Sequence, residues 1–395
     1  MLLPICDGVR LVLAKLQKSG YATYVVGGAI RDLLMDKVPV DYDLTTAALP
    51  YQILSLFNNA RATGGSYGTV TVCLGNSHYE ITPFRSESAY TDARHPDIVT
   101  FACDIHTDLA RRDFTINALA YDGKTLIDDF GGQDDLKAKT LRCIGVPEAR
   151  FAEDALRILR LFRFGAQLDF TFEAATLKAA LNLASTLKTV SGARVRQELT
   201  HILQSDCPAA VVPLINAGGL CSFGILGPAH TEALAEICKL PSVPLLRWWA
   251  FLHFCHADYT TVQQTLDFKA NAVLNWKMLD RWFAAPCNTP QQLKHRLSSA
   301  PSCANPRDIF AAFATLCPTQ SQQLCLFEKI FEEHQPYLIS HLAVSGQDLL
   351  ANGVTGNAIG KSLTALLNLV IENPQLNCYT TLITLVKQGI SAIYP

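Results

Sequence analysis

Residues 22–46 read ATYVVGGAIRDLLMDKVPVDYDLTT. The run 22–26 predicts a short buried strand, Gly27-Gly28 ends it, and the apolar spacing over 29–35 predicts a helix. A second strand is predicted over 42–46, next to a pair of aspartates. This order of strand, glycine turn, helix and strand indicates a mixed α/β domain.

The patterns around this stretch extend the domain to about residue 138. Helices are predicted over 8–19, 49–58 and 109–121, and strands 69–74 and 78–84 are predicted to form a hairpin across a Gly-Asn-Ser turn. The domain therefore contains at least four predicted strands together with several short helices.

Strand signals nearly vanish beyond residue 139. Apolar spacing predicts helices over 152–167, 174–187 and 193–204, and the rest is helical with proline-rich joints. The polar stretch 85–97 has little periodicity and predicts a loop. We therefore predict an α+β fold, in which an α/β head is followed by a long all-α region.

Composition indicates a folded protein of several domains. The chain has 395 residues, 49% of them hydrophobic and only 17% charged, which argues against disorder. A net charge of −2 is an objection to nucleic-acid binding. Residues 137–163 weaken that objection, because they hold seven Lys or Arg against three Asp or Glu.

The thirteen cysteines predict neither zinc sites nor a disulfide framework. Their number is odd and no pair has CxxC spacing, so we expect reduced thiols in a cytoplasmic protein. The N-terminal residues lack the pattern of a signal peptide. The longest uncharged stretch, 207–229, is interrupted by proline and glycine, so we expect no membrane association.

Gly28 and Arg31 form the first candidate site. Glycines between a strand and a helix let the backbone approach a phosphate, and Arg31 adds a positive charge. The alternative interpretation is an ordinary glycine turn with a surface arginine.

Asp41 and Asp43 form the second candidate site. On a strand, residues two apart face the same side, so the two carboxylates would converge on one Mg²⁺ ion. Glu80, on the predicted strand 78–84, could add a third carboxylate that helps to deprotonate an attacking hydroxyl. The alternatives are a solvated turn for the aspartates and an exposed strand glutamate.

Arg112, Asp113 and Asn117 form the third candidate site. On a helix, Asp113 and Asn117 would share one face and could offer an acceptor and a donor to a ribose, while Arg112 could hold a triphosphate. The alternative is a solvated helix with local ion pairs.

Asp154, Arg157, Arg160 and Arg163 form the fourth candidate site. On a helix, the arginines would make a positive stripe, with Asp154 beside Arg157. Aspartate accepts hydrogen bonds and arginine donates them, so the pair suits the amino group and ring nitrogen of C or A and rejects G and U. The alternative is a helix-surface salt bridge, worth about 0.2–0.5 kcal/mol.

The order of these motifs resembles the family of class II CCA-adding enzymes and bacterial poly(A) polymerases. The resemblance covers residues 20–205 closely and 344–356 more weakly. The matching segments are VGGAIRD at 26–32, DYDLTT at 41–46, EITPFR at 80–85, RRDFTINAL at 111–119 and EDALRILR at 153–160.

The resemblance implies a fold and a reaction. It implies a polymerase β-like nucleotidyltransferase head and an elongated helical region, divided as head 1–138, neck 139–205, body 206–335 and tail 336–395, with tRNA bound by the tail. It also implies that CTP and ATP are used with Mg²⁺ to add C, C and A to tRNA without a nucleic-acid template. No His-Asp dipeptide occurs, so we expect no second, phosphohydrolase domain.

The resemblance also implies residue roles. Asp41 and Asp43 match the metal-binding pair, and Gly28 and Arg31 match triphosphate contacts. The nucleotide-binding motif is matched by Arg112, Asp113 and Asn117. Asp154 and Arg157 match the amino-acid template for the incoming base, and Arg160 and Arg163 match further nucleotide contacts.

The sequence departs from the family pattern at two positions, and four alternative functions stay open. Asp36 and Asp169 replace glycines that are usual in the family. The narrower activities are CC addition, A addition and poly(A) synthesis. CC addition is disfavoured because the segment 85–100, which matches a loop that CC-only enzymes shorten, looks intact. The fourth alternative is an RNA-binding protein without activity.

Overall fold

The computed structural model describes residues 2–65, 68–88, 98–101, 104–227, 230–284, 287–300, 305–317 and 321–389. The chain forms two compact units. The first consists of residues 1–234 and 254–267, and the second of residues 235–253 and 268–395.

A seven-stranded sheet lies in the first unit, with the order β3-β4-β5-β2-β1-β8-β9. The pair β2–β5 is parallel and the other neighbours are antiparallel. The strands of this sheet are β1 Thr23–Val26, β2 Asp43–Thr46, β3 Ala60–Ala62, β4 Val70–Leu74, β5 Ser77–Pro83, β8 Ala120–Tyr121 and β9 Leu126–Ile127. Two further pairs form small sheets of their own: β6 Arg85–Ser88 with β7 Ile98–Phe101, and β10 Thr140–Leu141 with β11 Thr171–Phe172.

Helices surround this sheet and make up most of the chain after it. They begin with α1 Asp7–Lys18, α2 Gly28–Leu34, α3 Pro50–Leu56, α4 Ile105–Ala110, α5 Gly132–Lys137, α6 Pro147–Glu153, α7 Leu156–Leu168, α8 Ala174–Asn182, α9 Gly192–Leu203 and α10 Val212–Asn216. They continue with α11 Thr231–Ala235, α12 Pro244–Phe254, α13 Tyr259–Thr265, α14 Ala272–Ala284, α15 Pro290–Ser298, α16 Pro306–Leu316, α17 Ser321–Glu332, α18 Gly346–Ala351, α19 Asn357–Glu372 and α20 Tyr379–Lys387.

The predicted order at the start of the head is confirmed. Strand β1, helix α2 and strand β2 follow one another, and β4 and β5 form the predicted antiparallel hairpin. Burial on both faces marks these strands as central in the sheet, since the adjacent residues Val25 and Val26 and also Leu44 are almost fully buried. One core cluster joins Val26 to Leu109 and Ile144, which ties the centre of the sheet to the elements that follow it.

The predicted helix over 109–121 is wrong. Helix α4 ends at Ala110, the backbone of Phe114 is extended, and a 3₁₀ turn covers Thr115–Asn117 before β8 begins. Phe114 makes an antiparallel bridge with Cys143, and Asp113 Oδ1 accepts a hydrogen bond from the Phe114 N–H at 2.9 Å. This pairing and the local side-chain acceptor override the helical spacing.

The predicted helix over 152–167 is interrupted. Helix α6 ends at Glu153, Asp154 has an extended backbone, and α7 begins at Leu156. The carboxylate of Asp154 accepts a hydrogen bond from the Leu156 N–H at 3.0 Å, as a residue at the start of a helix does. A pattern of apolar spacing does not register such a break when both helices bury the same side.

The loop predicted over 85–97 is wrong at its start. Residues Arg85–Ser88 form β6, which pairs antiparallel with β7 at Ile98–Phe101. Residues 89–97 lie outside the described part of the chain.

Asp36 and Asp169 both adopt the left-handed backbone conformation, with φ of 57° and 55°. Aspartate tolerates this conformation better than most residues with a side chain, and Asp169 ends α7 in it. The two replacements of glycine therefore keep the turns that the family pattern requires.

The rest of the chain is largely helical, as predicted. In the second unit, α18, α19 and α20 bury a common core that includes Leu349, Leu366 and Leu382. No helix within the described ranges is long and apolar enough to cross a membrane.

Candidate active site

Asp43 and Glu80 are neighbours on the central parallel strand pair. Asp43 is the first residue of β2, and its register partners are Glu80 on β5 and Val26 on β1. Asp41 lies two residues before Asp43, and all three acidic residues are exposed to solvent. Asp43 and Glu80 thus lie side by side on neighbouring strands, and Asp41 lies just before β2.

These carboxylates repel one another. Asp43 is accessible but enclosed by neighbouring protein, and this desolvation raises the pKa of its carboxyl group. The negative charges of Asp41 and Glu80 raise this pKa further, while Arg112 lowers it. A bound cation would relieve that repulsion.

The carboxylate of Asp108, in the same unit, is compensated by two arginines. Asp108 is fully buried between Arg111 and Arg112, with N–O distances of 2.7 and 3.2 Å. Burial alone would raise the pKa of Asp108, but the two arginines lower it. By contrast, within the described ranges no hydrogen bond or ion pair engages the carboxylates of Asp41, Asp43 and Glu80. Asp41, Asp43 and Glu80 therefore form an acidic group without such compensation.

Gly27 and Arg31 line the turn between β1 and α2. Gly27 has φ of 70°, and a Cβ atom there would lie 3.0 Å from Arg112 Nη1, so glycine lets Arg112 approach the backbone. Arg31 donates to Asp32 and, through Nη1, to Asn117 Oδ1 at 2.9 Å. Gly28 begins α2 beside them. The structure thus brings the first and third candidate sites together.

Asp113 is a buried link in this network. Its Oδ2 accepts from Arg160 Nε at 2.7 Å, and its Oδ1 accepts from Asn117 Nδ2 at 3.2 Å. Burial alone would raise the pKa of Asp113, but Arg160 lowers it to about 2. The contact with Asn117 forms across an extended residue and a 3₁₀ turn rather than along a helix face.

We expect Asp113→Asn to destabilise the protein most at neutral pH. A carboxyl group whose pKa falls from 3.8 to about 2 on folding stabilises the fold above pH 4. That contribution, on the order of 2 kcal/mol, is lost as the pH falls from about 4 to 2. Urea unfolding from pH 7 to pH 3 should show the difference between variant and wild type shrinking with acid.

The control for this experiment is Asp134→Asn. Asp134 makes only an exposed ion pair with Lys137, which contributes little to stability. A stability difference for Asp113→Asn that did not change with pH would contradict the role of its charge.

Asp154 and Arg157 do not form the expected side-by-side pair. Asp154 Oδ2 accepts from Arg194 on α9 at 2.8 Å, whereas Arg157 forms an ion pair with Glu153. Arg157 also donates to the carbonyl oxygens of Arg150 and Arg111, both at 3.2 Å. The break between α6 and α7 separates the two side chains, so the argument from helical spacing was wrong for this pair.

The predicted positive stripe is largely neutralised. Arg160 pairs with Asp113 at 2.6 Å, and Arg163 pairs with Glu198 of α9 at 3.2 Å. Each arginine of α7 is therefore held by a carboxylate, and none extends freely into solvent.

Three residues in these networks were not predicted. Arg194 pairs with Asp154 and Glu198 with Arg163, each from more than 30 residues further along the chain, and sequence spacing carries no signal for such pairs. Glu153 is four residues before Arg157, so the helical i,i+4 rule could have identified it.

The acidic pair fits a divalent metal ion that is shared with a substrate. Within the described ranges no three His, Cys, Asp or Glu side chains lie close enough to hold a metal by themselves. Mg²⁺ commonly takes only one or two carboxylates and completes its shell with water and phosphate oxygens. Asp41 and Asp43 supply such a pair, and the repulsion at Asp43 favours it.

Comparisons with known proteins agree with this geometry. Residues 23–142 match the poly A polymerase head domain, and residues 169–223 match the probable RNA and SrmB-binding site of polymerase A. A solved structure, the Bacillus stearothermophilus CCA-adding enzyme in complex with CTP, superposes with a TM-score of 0.73 and 25% identity. That match covers 97% of this chain and 99% of the other.

Curated relatives give the same family. The CCA-adding enzyme of Leuconostoc mesenteroides is 47% identical over 194 residues, and the match spans about half of each chain, 49% of this one and 48% of that one. The CCA-adding enzyme of Levilactobacillus brevis is 33% identical over 361 residues, which cover 87% of this chain and 88% of the relative. The chain therefore belongs to the nucleotidyltransferase family that includes the CCA-adding enzymes.

Proposed function

We propose that this protein adds C, C and A, in that order, to the 3′ end of tRNA, using CTP and ATP and releasing pyrophosphate. The observation that carries the proposal is the pair Asp41 and Asp43, whose carboxylates make no hydrogen bond or ion pair within the described ranges, with Arg112 close enough to lower the pKa of Asp43. The names of the relatives support the nature of the added nucleotides.

In this proposal Asp41 and Asp43 bind Mg²⁺, and Arg31 and Arg112 bind the triphosphate. When bound, the metal would neutralise phosphate charge and lower the pKa of the attacking hydroxyl group. Gly28 lets the chain pass close to the phosphates, and Arg31 and Arg112 donate hydrogen bonds to them. Glu80, the register neighbour of Asp43, is placed to take up the proton of the RNA 3′ hydroxyl.

Base selection is assigned to the junction between α6 and α7. Asp154 uses one oxygen for the Leu156 N–H and the other for Arg194, and a carboxylate has about four acceptor positions, so it can still accept from an amino group. Arg157 supplies the donor to the ring nitrogen. Asp113 and Asn117 hold Arg160 and Arg31 in place, and Arg160 and Arg163 complete the nucleotide contacts.

The division of labour along the chain follows the same proposal. Residues 1–138 would catalyse, 139–205 would recognise the base, 206–335 would form the body and 336–395 would bind tRNA. The cysteines of the described ranges are free thiols, which supports a reducing compartment such as the cytoplasm.

The test uses three tRNA substrates, ending before CCA, after CC and after CCA, each with one nucleotide at a time. We expect CTP to extend only the first substrate and ATP only the second. Addition of A alone, addition of C alone or repeated addition of A would identify a narrower relative. Binding of tRNA without any extension would indicate a non-catalytic RNA-binding protein.

We also expect tRNA binding to weaken with salt despite the net charge of −2. Neutralising phosphates releases counterions, so affinity falls as salt rises. The logarithm of the binding constant falls with the logarithm of the salt concentration, with a slope of about −0.9 per phosphate contact for B-DNA. Filter binding between 50 and 200 mM salt measures this slope. An affinity that stays constant over that range would contradict phosphate contacts as the basis of binding.

A further inference from the structure

Three guanidinium groups surround the ring of Phe164. The ring centroid lies 4.4 Å from the guanidinium carbon of Arg163, 5.3 Å from that of Arg160 and 5.4 Å from that of Arg31. Phe164 itself is 6% exposed. The three arginines come from two helices, α2 and α7, and the aromatic ring is what they have in common.

These arginines repel one another. Burial lowers the pKa of Arg163, and the positive charges of Arg160 and Arg31 lower it further. Each arginine also forms an ion pair with one carboxylate: Arg31 with Asp32, Arg160 with Asp113 and Arg163 with Glu198. Inside the group, the electron-rich faces of the Phe164 ring provide the remaining attraction for the cations.

The orientation of the ring is fixed by a second aromatic residue. Phe114, which is fully buried, meets Phe164 edge to face, with centroids 5.8 Å apart and an interplanar angle of 82°. Phe114 also makes the bridge to Cys143 that ends the predicted helix early. The Phe164 ring therefore has a packing contact that does not depend on the arginines.

We propose that Phe164 is a positioning residue, which holds Arg31, Arg160 and Arg163 together to receive the polyphosphate of the incoming nucleotide. This inference rests on the proposed function. If the arginines are already held close together without substrate, the free-energy cost of their repulsion falls on folding and not on binding. A polyphosphate then meets donors already in place. A ring is suited to this task because it attracts cations without adding a negative charge that would repel the polyphosphate.

The first test compares Phe164→Leu with Phe162→Leu. Both phenylalanines are buried in α7, but Phe162 packs edge to face on Phe172 at 5.2 Å, and the three cation–π contacts described above are made with Phe164. For Phe164→Leu we expect the Kd of inorganic tripolyphosphate and the KM of CTP to rise about fivefold to thirtyfold, with a smaller change in kcat. Phe162→Leu should leave both constants unchanged. Equal effects of the two variants would reduce Phe164 to a packing residue and overturn the inference.

The second test keeps the shape of the ring. Replacing Phe164 with mono-, di- and trifluorophenylalanine withdraws electron density from the ring faces stepwise, so log Kd for tripolyphosphate should rise in step with fluorination. A Kd that is independent of fluorination would overturn the inference. If the wild-type protein binds tripolyphosphate and the fluorinated proteins follow this trend, but the wild type extends no RNA, the proposed function fails while the role of Phe164 stands.

Discussion

Asp41→Ala and Asp43→Ala are expected to abolish nucleotide addition, lowering kcat/KM about a thousandfold or more. The two carboxylates are the metal-binding pair of the account, and neither makes an ion pair within the described ranges. Without them the triphosphate has no fixed cation at the reacting phosphorus. Single-turnover extension of a tRNA lacking CCA, at saturating Mg²⁺, measures the loss.

The same variants should fold normally. Asp43 has a raised pKa because of desolvation and of repulsion from Asp41 and Glu80, so removing one charge relieves rather than breaks an interaction. We expect an unchanged or slightly higher Tm without metal, and loss of any Tm increase that Mg²⁺ gives the wild type. EDTA should abolish wild-type activity as the substitutions do.

Asp36→Gly is the matched control. It removes a carboxylate from the segment between α2 and β2 at a residue with φ of 57°, where glycine is unstrained. This variant should keep wild-type activity. Near-normal turnover of Asp41→Ala or Asp43→Ala at saturating Mg²⁺ would rule out the site assignment.

The second large effect concerns base choice. In the proposed function, Asp154→Ala removes the acceptor for the amino group of C or A, and Arg157→Ala removes the donor to the ring nitrogen. Each lost hydrogen bond to a charged group costs about 1.5–3 kcal/mol, so kcat/KM for CTP and ATP should fall about tenfold to hundredfold. UTP and GTP do not use these bonds, so their poor incorporation should change less and discrimination should shrink.

The structure supplies the control for this experiment. Arg150, like Arg157, pairs with Glu153 and donates to backbone carbonyl oxygens, those of Ile144 and Ala110. Arg150→Ala should therefore cost stability without changing the ratio of CTP to UTP use. If Asp154→Ala and Arg157→Ala lowered kcat/KM equally for all four nucleotides, the two residues would only support the fold of the junction.

Local sequence predicted the start of the head well and the segments 109–121 and 152–167 poorly. The glycine turn after β1 and the hairpin of β4 and β5 follow from residue types and spacing within a few positions. The helices predicted over 109–121 and 152–167 were wrong in detail because Asp113 and Asp154 bind neighbouring backbone N–H groups. The apolar pattern continues through both breaks and hides them.

The candidate residues were found, but their partners were not. Resemblance and spacing selected Asp154 and Arg157, yet the partner of Asp154 is Arg194, which lies 40 residues away. Phe164 reads in the sequence as one more apolar residue of a helix. Its relation to three arginines depends on the packing of α2 against α7, and no local pattern encodes that packing.

The central claim is that the protein adds a defined sequence of three nucleotides and then stops. The most direct measurement is mass spectrometry of a tRNA lacking CCA, after incubation with the protein, Mg²⁺ and all four nucleoside triphosphates. We expect a single product, longer by C, C and A, and no further growth with time. A product that gains only CC, only A, a continuing run of A or nothing would contradict it.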